Sequence, residues 1–430
     1  MGVMNRDDLH KLSKEELIEL VLRLQRPPKT SRTSSKPPST DQKANKRASS
    51  KPGGAKPGHK GQARELSEAP DVVVDHRPNQ CSKCGHAFGE QADGDVIGEY
   101  DAVDLPEIRL TVTRHRRLRC SCPGCGARTK APAPKAASKS PFGPKIAALA
   151  VYLKSFQMAS YQRLQGFFAD VFGLKISQGG LANLLSRSSK AFEAEHEEIL
   201  ARLRQAEAVA SDETGMRIEG VNGQQWVFRS RDVVVHKVAF SRGAQVAKDV
   251  MDGHTPTYWT SDRYCAQQGH GKKQQTCLAH LARDIERVFS VGDERLGLQL
   301  KRWISDVFSF AKRLPDMAQS TLSRKVKDLE RRIDAALATS IRCDVAAPVL
   351  RKIANARDQL FVFTQAPELV EPTNNACERA LRPAVVARKV TNGFRALWGA
   401  KADAIIRTVV DTNRLSGRTP YQTIRKTLLA

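Results

Sequence analysis

The chain has 430 residues, of which 40% are apolar, and a formal net charge of +24. This length predicts two to four domains with hydrophobic cores, and the positive charge favours a polyanionic partner such as nucleic acid. The sequence has no leader-like opening run and no stretch of eighteen apolar residues, so we expect a cytoplasmic protein without membrane contact. Nine cysteines, an odd number, argue against a disulfide framework.

The first 69 residues predict a helix followed by a linker. Residues 1–26 contain a short amphipathic helix with Ser13 and Glu16 at capping-box spacing, suited either to self-association or to packing on its own chain. Residues 27–69 contain few large apolar side chains, and in 29–65 ten basic residues stand against two acidic ones. That composition predicts a disordered arm, which either binds phosphates or serves as an inert linker.

A cysteine cluster marks residues 70–130. Two CxxCG turns supply four soft ligands, which are Cys81, Cys84, Cys122 and Cys125. Four thiolates around one ion are typical of structural Zn²⁺, which supports folding rather than catalysis. Cys120 is a spare thiol that could replace Cys122 as a ligand. The segments Glu99–Leu105 and Ile108–Arg119 alternate in polarity like strands, so we predict a small β zinc ribbon.

Residues 141–207 predict a helical module. Two helices flank a short turn at Gly173, and Ser177 is a suitable N-cap for the second of them. This order resembles a helix-turn-helix, in which the second helix reads DNA. The polar side chains expected to face outward toward DNA are Gln178, Asn183, Ser186 and Arg187. A helix pair that only packs is the alternative.

Two short apolar runs, beginning at Ala208 and Thr257, each lead into an acid, Asp212 and Asp262. We predict that each acid lies at the C-terminal tip of a strand. After Asp212 the sequence predicts strand-like runs at Met216–Glu219, Gln224–Arg229 and Val233–Phe240, with a hairpin turn over Gly220–Gly223 between the first two. A helix at about 242–251 follows them. Three strands, a helix and a further strand is the ribonuclease-H-like order, which would place Asp212 next to Asp262.

A third acid, Glu378, stands at the start of a helical pattern, after a mostly helical insertion at 293–365. Three separated carboxylates suit a two-metal phosphoryl-transfer centre. Our hypothesis is that Asp212 bridges two Mg²⁺ ions, while Asp262 holds one ion and Glu378 the other. Solvated surface acids are the alternative.

Polar and basic residues accompany Glu378 in the same helix. Asn375 is suited to orient a carboxylate or phosphate, Arg379 to brace the site, and Arg382, one turn after Glu378, to contact DNA phosphate. Surface ion pairing is the alternative for both arginines. A separate Cys-x-x-His pair, Cys277 and His280, could hold a metal, but packing beneath Asp262 is the favoured role.

These motifs resemble those of transposases of the insertion-sequence-66 family. Ser211–Thr214 and Ser261–Tyr264 are similar to its first two catalytic motifs, and Asn374–Pro383 to the third. The cysteine ribbon, Pro57–Gly61 before it and Cys277–Arg283 are also similar to segments of that family, in its order over roughly residues 50–415. Arg263 departs from the pattern, because a small glycine is expected after the second acid.

The resemblance implies a DDE centre that uses Mg²⁺ to cut element ends and join their 3′-hydroxyls to target DNA. It implies terminal inverted repeats and target DNA as partners, a homo-oligomer, accessory proteins of the same element, and a bacterial cytoplasm with nucleoid association when DNA is bound. A non-catalytic zinc-ribbon and helix-turn-helix regulator and a nuclease of the same fold are alternatives.

The predicted architecture is therefore α/β and multidomain. A ribonuclease-H-like catalytic core at 208–292 and 366–415 carries an all-helical insertion at 293–365. The zinc ribbon and the helix-turn-helix-like module precede this core, and a tail at 416–430 follows it.

Overall fold

A computed structural model of the chain describes residues 10–34, 41, 58–61, 64–89, 92–132, 140–339 and 343–430. The chain divides into two compact units, one formed by Met1–Gln42 with Arg114–Ala430 and the other by Lys43–Thr113. Much of the predicted basic linker lies outside the described residues. In the part that is described, no helix is both long and apolar enough to cross a membrane.

Helices and a central sheet build the larger unit. Its α-helices are α1 (Lys14–Gln25), α2 (Pro144–Ser155), α3 (Tyr161–Phe172), α4 (Gln178–Ser189), α5 (Glu193–Leu203), α6 (Gln245–Met251), α7 (Leu278–Val291), α8 (Glu294–Arg313), α9 (Gln319–Leu337), α10 (Ala346–Asn355), α11 (Asn375–Thr391), α12 (Leu397–Leu415) and α13 (Pro420–Leu429). Its strands are β1 (Arg119–Ser121), β2 (Arg128–Lys130), β3 (Ala208–Ile218), β4 (Val221–Arg229), β5 (Val234–Ala239), β6 (Tyr258–Ser261) and β7 (Lys273–Thr276).

The central sheet has five strands in the order β5-β4-β3-β6-β7. Strands β3, β4 and β5 form an antiparallel meander, and β6 and β7 join it in parallel on the other side of β3. Helix α6 connects β5 to β6, so the predicted order of three strands, a helix and a strand is confirmed. This topology makes β3 the central strand, with paired neighbours on both sides.

Strand β3 is longer than the sequence predicted. The expected end of this strand at Asp212 is wrong, because pairing with β4 continues to Ile218 opposite Val221. Met216 and Ile218 are buried with residues of α12, and this packing extends the strand beyond the acid. The hairpin turn is also shorter than predicted: it consists of Glu219 and Gly220, whose φ angles of 55° and 79° are those of a two-residue type I′ turn.

The region predicted as a helical insertion, residues 293–365, contains α8 to α10, which share an apolar core with α7. Helices α7 to α10 bury a continuous apolar cluster that includes Leu300, Trp303 and Phe310 of α8. The indole N–H of Trp303 donates to the carbonyl of Leu329 on α9 at 2.9 Å. The polar group of the largest buried side chain in this cluster therefore has a hydrogen-bond partner.

The α2–α4 module packs onto the core of the larger unit. Ser177 caps α4 by accepting the N–H of Gly180, as predicted. Arg407 of α12, only 1% exposed, pairs with Asp403 at 2.6 Å and also donates to the carbonyl of Ser155 at the end of α2. The predicted tail contains α13, where Tyr421 meets Tyr152 of α2 at a ring distance of 5.6 Å.

Each cysteine turn has the compact geometry expected of a CxxCG sequence. In one unit the N–H of Gly85 donates to the carbonyl of Cys81 at 2.9 Å, and in the other Gly126 donates to Cys122 at the same distance. Both glycines have a φ of 73°, in the left-handed region that favours glycine. Cys120 belongs to β1 rather than to the turn.

The two ribbon strands predicted around this cluster are wrong. Described residues 92–118 contain no strand. The backbone pairing found among the described residues of 70–130 is that of β1 with β2 and one isolated bridge between Gln80 and Ala87. Alternating apolar side chains such as Val103 and Val112 are 65% and 87% exposed, so polarity alternation here does not mark a buried face. A strand needs a paired neighbour to satisfy its backbone groups, and these segments lack one among the described residues.

Candidate active site

Two of the three predicted acids lie beyond the same end of the β3–β6 ladder. Parallel pairing of these strands ends with Ala210 opposite Thr260. Asp212 and Asp262 each follow two residues later, so the register places the two acids side by side. Asp212 remains inside β3, opposite Val227 of β4, whereas Asp262 directly follows β6.

Glu378 lies in the first turn of α11, which packs against the same sheet. Cys377 and Leu381 of this helix share a buried cluster with Val227 of β4 and Val234 of β5. The helix therefore carries Glu378 to the end of the sheet where the other two acids lie. The negative charge of Glu378 contributes to the raised pKa of Asp212.

The carboxyl group of Asp212 has an unusual environment. Burial raises the pKa of Asp212 well above its usual value, and the negative charges of Glu213, Asp262 and Glu378 raise it further. The N–H of Glu213 donates to Asp212 Oδ1 at 2.9 Å and lowers the pKa, without offsetting the other causes. The structure thus brings the three predicted acids close enough for the charges of Asp262 and Glu378 to act on Asp212, where a cation would offset this repulsion.

The raised pKa predicts how stability depends on pH in the metal-free protein. A carboxyl group whose pKa is raised by folding contributes stability at low pH and loses it as the pH rises through the folded-state pKa. As the pH rises from the unfolded-state pKa to the folded-state pKa of Asp212, we expect the free energy of unfolding of the native chain to fall relative to that of Asp212→Asn. The fall should be about 1.4 kcal/mol for each unit by which folding raises the pKa. Denaturant unfolding in a metal chelator, at several pH values, measures this difference.

Asp249→Asn is the matched control for this measurement, because Asp249 is an exposed acid on α6 that bonds only to Gln245 among the described residues. Its stability should follow the native pH profile. If the free energy of unfolding of Asp212→Asn varied with pH in parallel with that of the native chain, the raised pKa of Asp212 would be contradicted.

A chain of hydrogen bonds joins the three elements that carry the acids. The side-chain amide of Asn374 donates to the carbonyl of Ser211 at 2.7 Å, and its backbone N–H donates to Cys277 Sγ at 3.1 Å. The N–H of Cys277 donates in turn to the carbonyl of Ser261 at 2.8 Å. Ser211 and Ser261 directly precede the two strand acids, and the N–H of Glu378 donates to the carbonyl of Asn374 at 3.1 Å. Asn374 and Cys277 thus fix the backbones of all three.

The segment after Asp262 forms a stable turn in spite of Arg263. The N–H of Tyr264 donates to Asp262 Oδ1 at 2.8 Å, and Gln268 donates to the Asp262 carbonyl at 2.8 Å. Arg263 has no positive φ, so this position does not require glycine. Its guanidinium pairs with Asp284 at 2.5 Å, which ties this segment to α7.

Glu378 is contacted by two basic groups from α7. His280 Nδ1 lies 3.8 Å from Glu378 Oε1, and Arg283 Nη2 lies 3.5 Å from Oε2. Burial lowers the pKa of His280, and the charge of Arg283 lowers it further, although Glu378 acts in the opposite direction. Arg379 and Arg382 are exposed. The groups that brace Glu378 therefore come from α7, and the sequence did not assign this role to them.

Comparison with known proteins identifies the family of this chain. A family model described as Transposase IS66 family matches residues 139–402. The chain belongs to the IS66 transposase family. It is also similar to the uncharacterized protein y4jD of Sinorhizobium fredii (strain NBRC 101917 / NGR234), with 21% identity over 396 residues that cover 82% of this chain and 74% of the relative.

As a member of this family the chain has a transposase role and a DNA partner. The matched segment begins just before the α2–α4 module and contains all three acids and the whole central sheet. The cysteine turns lie before the matched segment, so their prediction depends on the sequence alone.

A fourth carboxylate, that of Glu213, lies next to the site, and the sequence analysis gave it no role. Glu213 follows Asp212 in β3, so its side chain points to the opposite face of the sheet. It is 2% exposed, pairs with Arg242 at 2.6 Å and accepts a hydrogen bond from Gln267. Gln267 also bonds to Ser211. Glu213 therefore anchors β3 through contacts on the face of the sheet opposite to Asp212. The alternation of side chains along a strand is the signal that distinguishes the two acids.

Helix α4 of this transposase has one buried apolar face and one polar face that is mostly exposed. Its buried face consists of Leu181, Leu184 and Leu185. Gln178, Asn183 and Arg187 are exposed on the other side, and Ser186 is half-buried. The three exposed side chains remain free to meet a DNA groove or phosphate, as proposed below.

Proposed function

We propose that this chain cuts the ends of its insertion element and joins their 3′-hydroxyls to target DNA by two-metal phosphoryl transfer at Asp212, Asp262 and Glu378. The observation that carries the proposal is the meeting of these acids, from two neighbouring strands and one helix, around Asp212. The strand order β5-β4-β3-β6-β7 supports a ribonuclease-H-like catalytic core.

The donor set fits Mg²⁺. Carboxylate oxygens are the ligands this ion prefers, and the like charges that raise the pKa of Asp212 are those a divalent cation offsets. When bound, a Mg²⁺ pair supplies an activated attacking hydroxyl and a stabilised leaving oxygen. Within this chain, Asp212 is assigned to both ions, Asp262 to one and Glu378 to the other. Asn374 and Cys277 keep the three backbones at fixed separation.

DNA contact is assigned to basic and polar groups of the larger unit that are exposed or, for Asn375, half-buried. Arg382 follows Glu378 by one turn of α11 and is placed to meet a phosphate, while Arg379 and Asn375 flank the same carboxylate. The exposed face of α4, with Gln178, Asn183 and Arg187, is assigned to the terminal repeat. The net charge of +24 supports salt-dependent binding of this kind.

Zinc binding by the cysteine turns is a further part of the proposal. The pKa of Cys81 is lowered by the backbone N–H groups of Cys84 and Lys83, and that of Cys122 by those of Gly124 and Cys125. N–H groups aimed at sulfur favour the thiolate that a zinc ion requires. Cys84 and Cys125 complete the two pairs, and the ion has a structural role.

The reaction acts on the two ends of the element, and each chain has one site formed by the three acids. The working form is therefore assigned as a homo-oligomer. Accessory proteins of the same element are the other expected partners. The location that suits such a reaction is the bacterial cytoplasm, on nucleoid DNA.

A strand-transfer assay tests the proposed function. The full chain is incubated with Mg²⁺ and labelled DNA that carries the inverted repeats flanking its own gene. Cleavage at the repeat end followed by joining to target DNA is the expected result. Cleavage without joining would instead indicate a nuclease, and metal-independent binding without cleavage would indicate a regulator.

A further inference from the structure

Three different metal-ligating side chains meet beside the three acids. Cys277 precedes the first turn of α7, His280 lies within that turn, and Glu378 comes from α11. The sulfur, a ring nitrogen and a carboxylate oxygen of these residues all lie within 4.8 Å of one another. Chain segments almost one hundred residues apart therefore present one soft, one intermediate and one hard ligand to the same point.

Two of these ligand atoms have an unmet need for a partner. His280 Nδ1 and Glu378 Oε1 are both buried, and neither has a hydrogen-bond partner among the described residues. They face each other at 3.8 Å, beyond hydrogen-bond distance. Leaving buried polar atoms unpaired is destabilising, so an occupant between them would be stabilising. A cation satisfies both at once.

The separation of the ligands suits a small transition-metal ion. Bonds of roughly 2.0–2.3 Å to nitrogen, oxygen and sulfur place tetrahedral ligand atoms roughly 3.3–3.8 Å apart. His280 Nδ1 and Glu378 Oε1 already have this spacing. The Glu378 side chain is 32% exposed, and a rotation toward Cys277 would bring its carboxylate oxygen within ligand spacing of the sulfur. Burial raises the pKa of the Cys277 thiol, whereas the Asn374 N–H that donates to its Sγ at 3.1 Å acts in the opposite direction and favours the thiolate.

We propose that Cys277, His280 and Glu378 bind one thiophilic divalent cation of the Zn²⁺ class, with water as the fourth ligand. This site differs from the Mg²⁺ centre in its sulfur and nitrogen ligands, which Mg²⁺ does not favour. Binding of this cation does not depend on the proposed function. Its effect on cleavage rests on that function, because the cation and the Mg²⁺ pair share Glu378. Zn²⁺ therefore inhibits Mg²⁺-dependent cleavage by occupying this carboxylate.

Metal stoichiometry of the full chain tests the site without any need for activity. The chain is reconstituted with Zn²⁺, passed over a desalting column and assayed for bound metal. His280→Gln and Cys277→Ser should each hold one Zn²⁺ fewer than the native chain, and with Co²⁺ they should lose part of the sulfur-to-metal absorption. Equal stoichiometry in the native chain and in folded His280→Gln would overturn the proposal.

Cys377→Ala is the matched control. Cys377 is also a fully buried thiol near Glu378, but it packs among apolar side chains of the sheet. Its substitution should leave the stoichiometry unchanged, and an equal loss in this variant would attribute the effect to damaged packing and overturn the proposal. Thermal melts establish that each variant is folded, and His280→Gln decides the question if Cys277→Ser does not fold.

Inhibition separates this proposal from the proposed function. In the cleavage assay with Mg²⁺, the Zn²⁺ concentration for half inhibition should rise at least about tenfold in His280→Gln, relative to the uninhibited rate of the same variant. A loss of one bound Zn²⁺ without any cleavage activity in the native chain would leave the site established and contradict the transposition chemistry. Unchanged inhibition would overturn the sharing of Glu378.

Discussion

Replacing Asp212 with asparagine is expected to lower the rate of Mg²⁺-dependent DNA cleavage by at least about 10³-fold. Asparagine keeps the size of the side chain but lacks the negative charge that holds a divalent cation. Metal ions contribute several kcal/mol to the stabilisation of charge in such transition states, so losing one of their ligands affects the rate rather than DNA affinity. Asp262→Asn and Glu378→Gln should have similar effects for the same reason.

The measurement is single-turnover cleavage of terminal-repeat DNA, with DNA binding followed in parallel by gel shift. Asp249→Asn serves as control, because it removes an exposed acid outside the site. It should cleave at the native rate. Cleavage by Asp212→Asn within a few-fold of native would exclude this acid from the metal centre, and lost DNA binding in the same variant would mean that its effect is not confined to chemistry.

The second large effect is expected on stability, at the junction between the α2–α4 module and the core. Asp403 is the buried ionic partner of Arg407, with side chains 13% and 1% exposed. Asp403→Ala would leave the guanidinium charge without its ion-pair partner in a region where the ring of Phe156 lies 5.3 Å from it. Removal of one partner of a buried pair costs about 3–5 kcal/mol, so we expect a loss of that size in the free energy of unfolding.

Denaturant unfolding measures this loss, with Asp306→Ala as the control. Asp306 pairs with Arg332 at 2.7 Å, but their side chains are 55% and 36% exposed. An exposed pair contributes about 0–1 kcal/mol, so this variant should remain close to the native stability. Equal losses in the two variants would contradict the buried-charge argument. The double variant Asp403→Leu with Arg407→Met should recover part of the stability, because it removes both charges together.

Much of the sheet could be predicted because its signals are local. Apolar runs bounded by polar turns predicted the strands, and their order predicted that Asp212 and Asp262 would be neighbours. The end of β3 could not be predicted, because Met216 and Ile218 extend the strand through contacts with α12, which is almost two hundred residues away in sequence. The ribbon strands failed for the opposite reason: alternation in polarity was present without a paired neighbour.

The polar network of the site was less predictable than its acids. The sequence favoured Asn375, yet it is Asn374 whose side chain reaches Ser211, and which of two adjacent amides faces the sheet depends on where α11 begins. Likewise, His280 and Arg283 meet Glu378 only because the insertion returns the chain to the sheet. Contacts of this kind depend on tertiary packing and have no periodic signature in the sequence.

The ends of the helical insertion have a consequence for how this catalytic scaffold can change over evolution. The chain leaves the sheet at Cys277 and comes back at Asn374, and these residues are hydrogen-bonded, as are Leu278 and Pro372 at 3.0 Å. A segment whose two ends are clamped together can grow or shrink at little entropic cost. Helices α8 to α10 can therefore vary in length and shape among descendants while the spacing of the carboxylates is inherited unchanged.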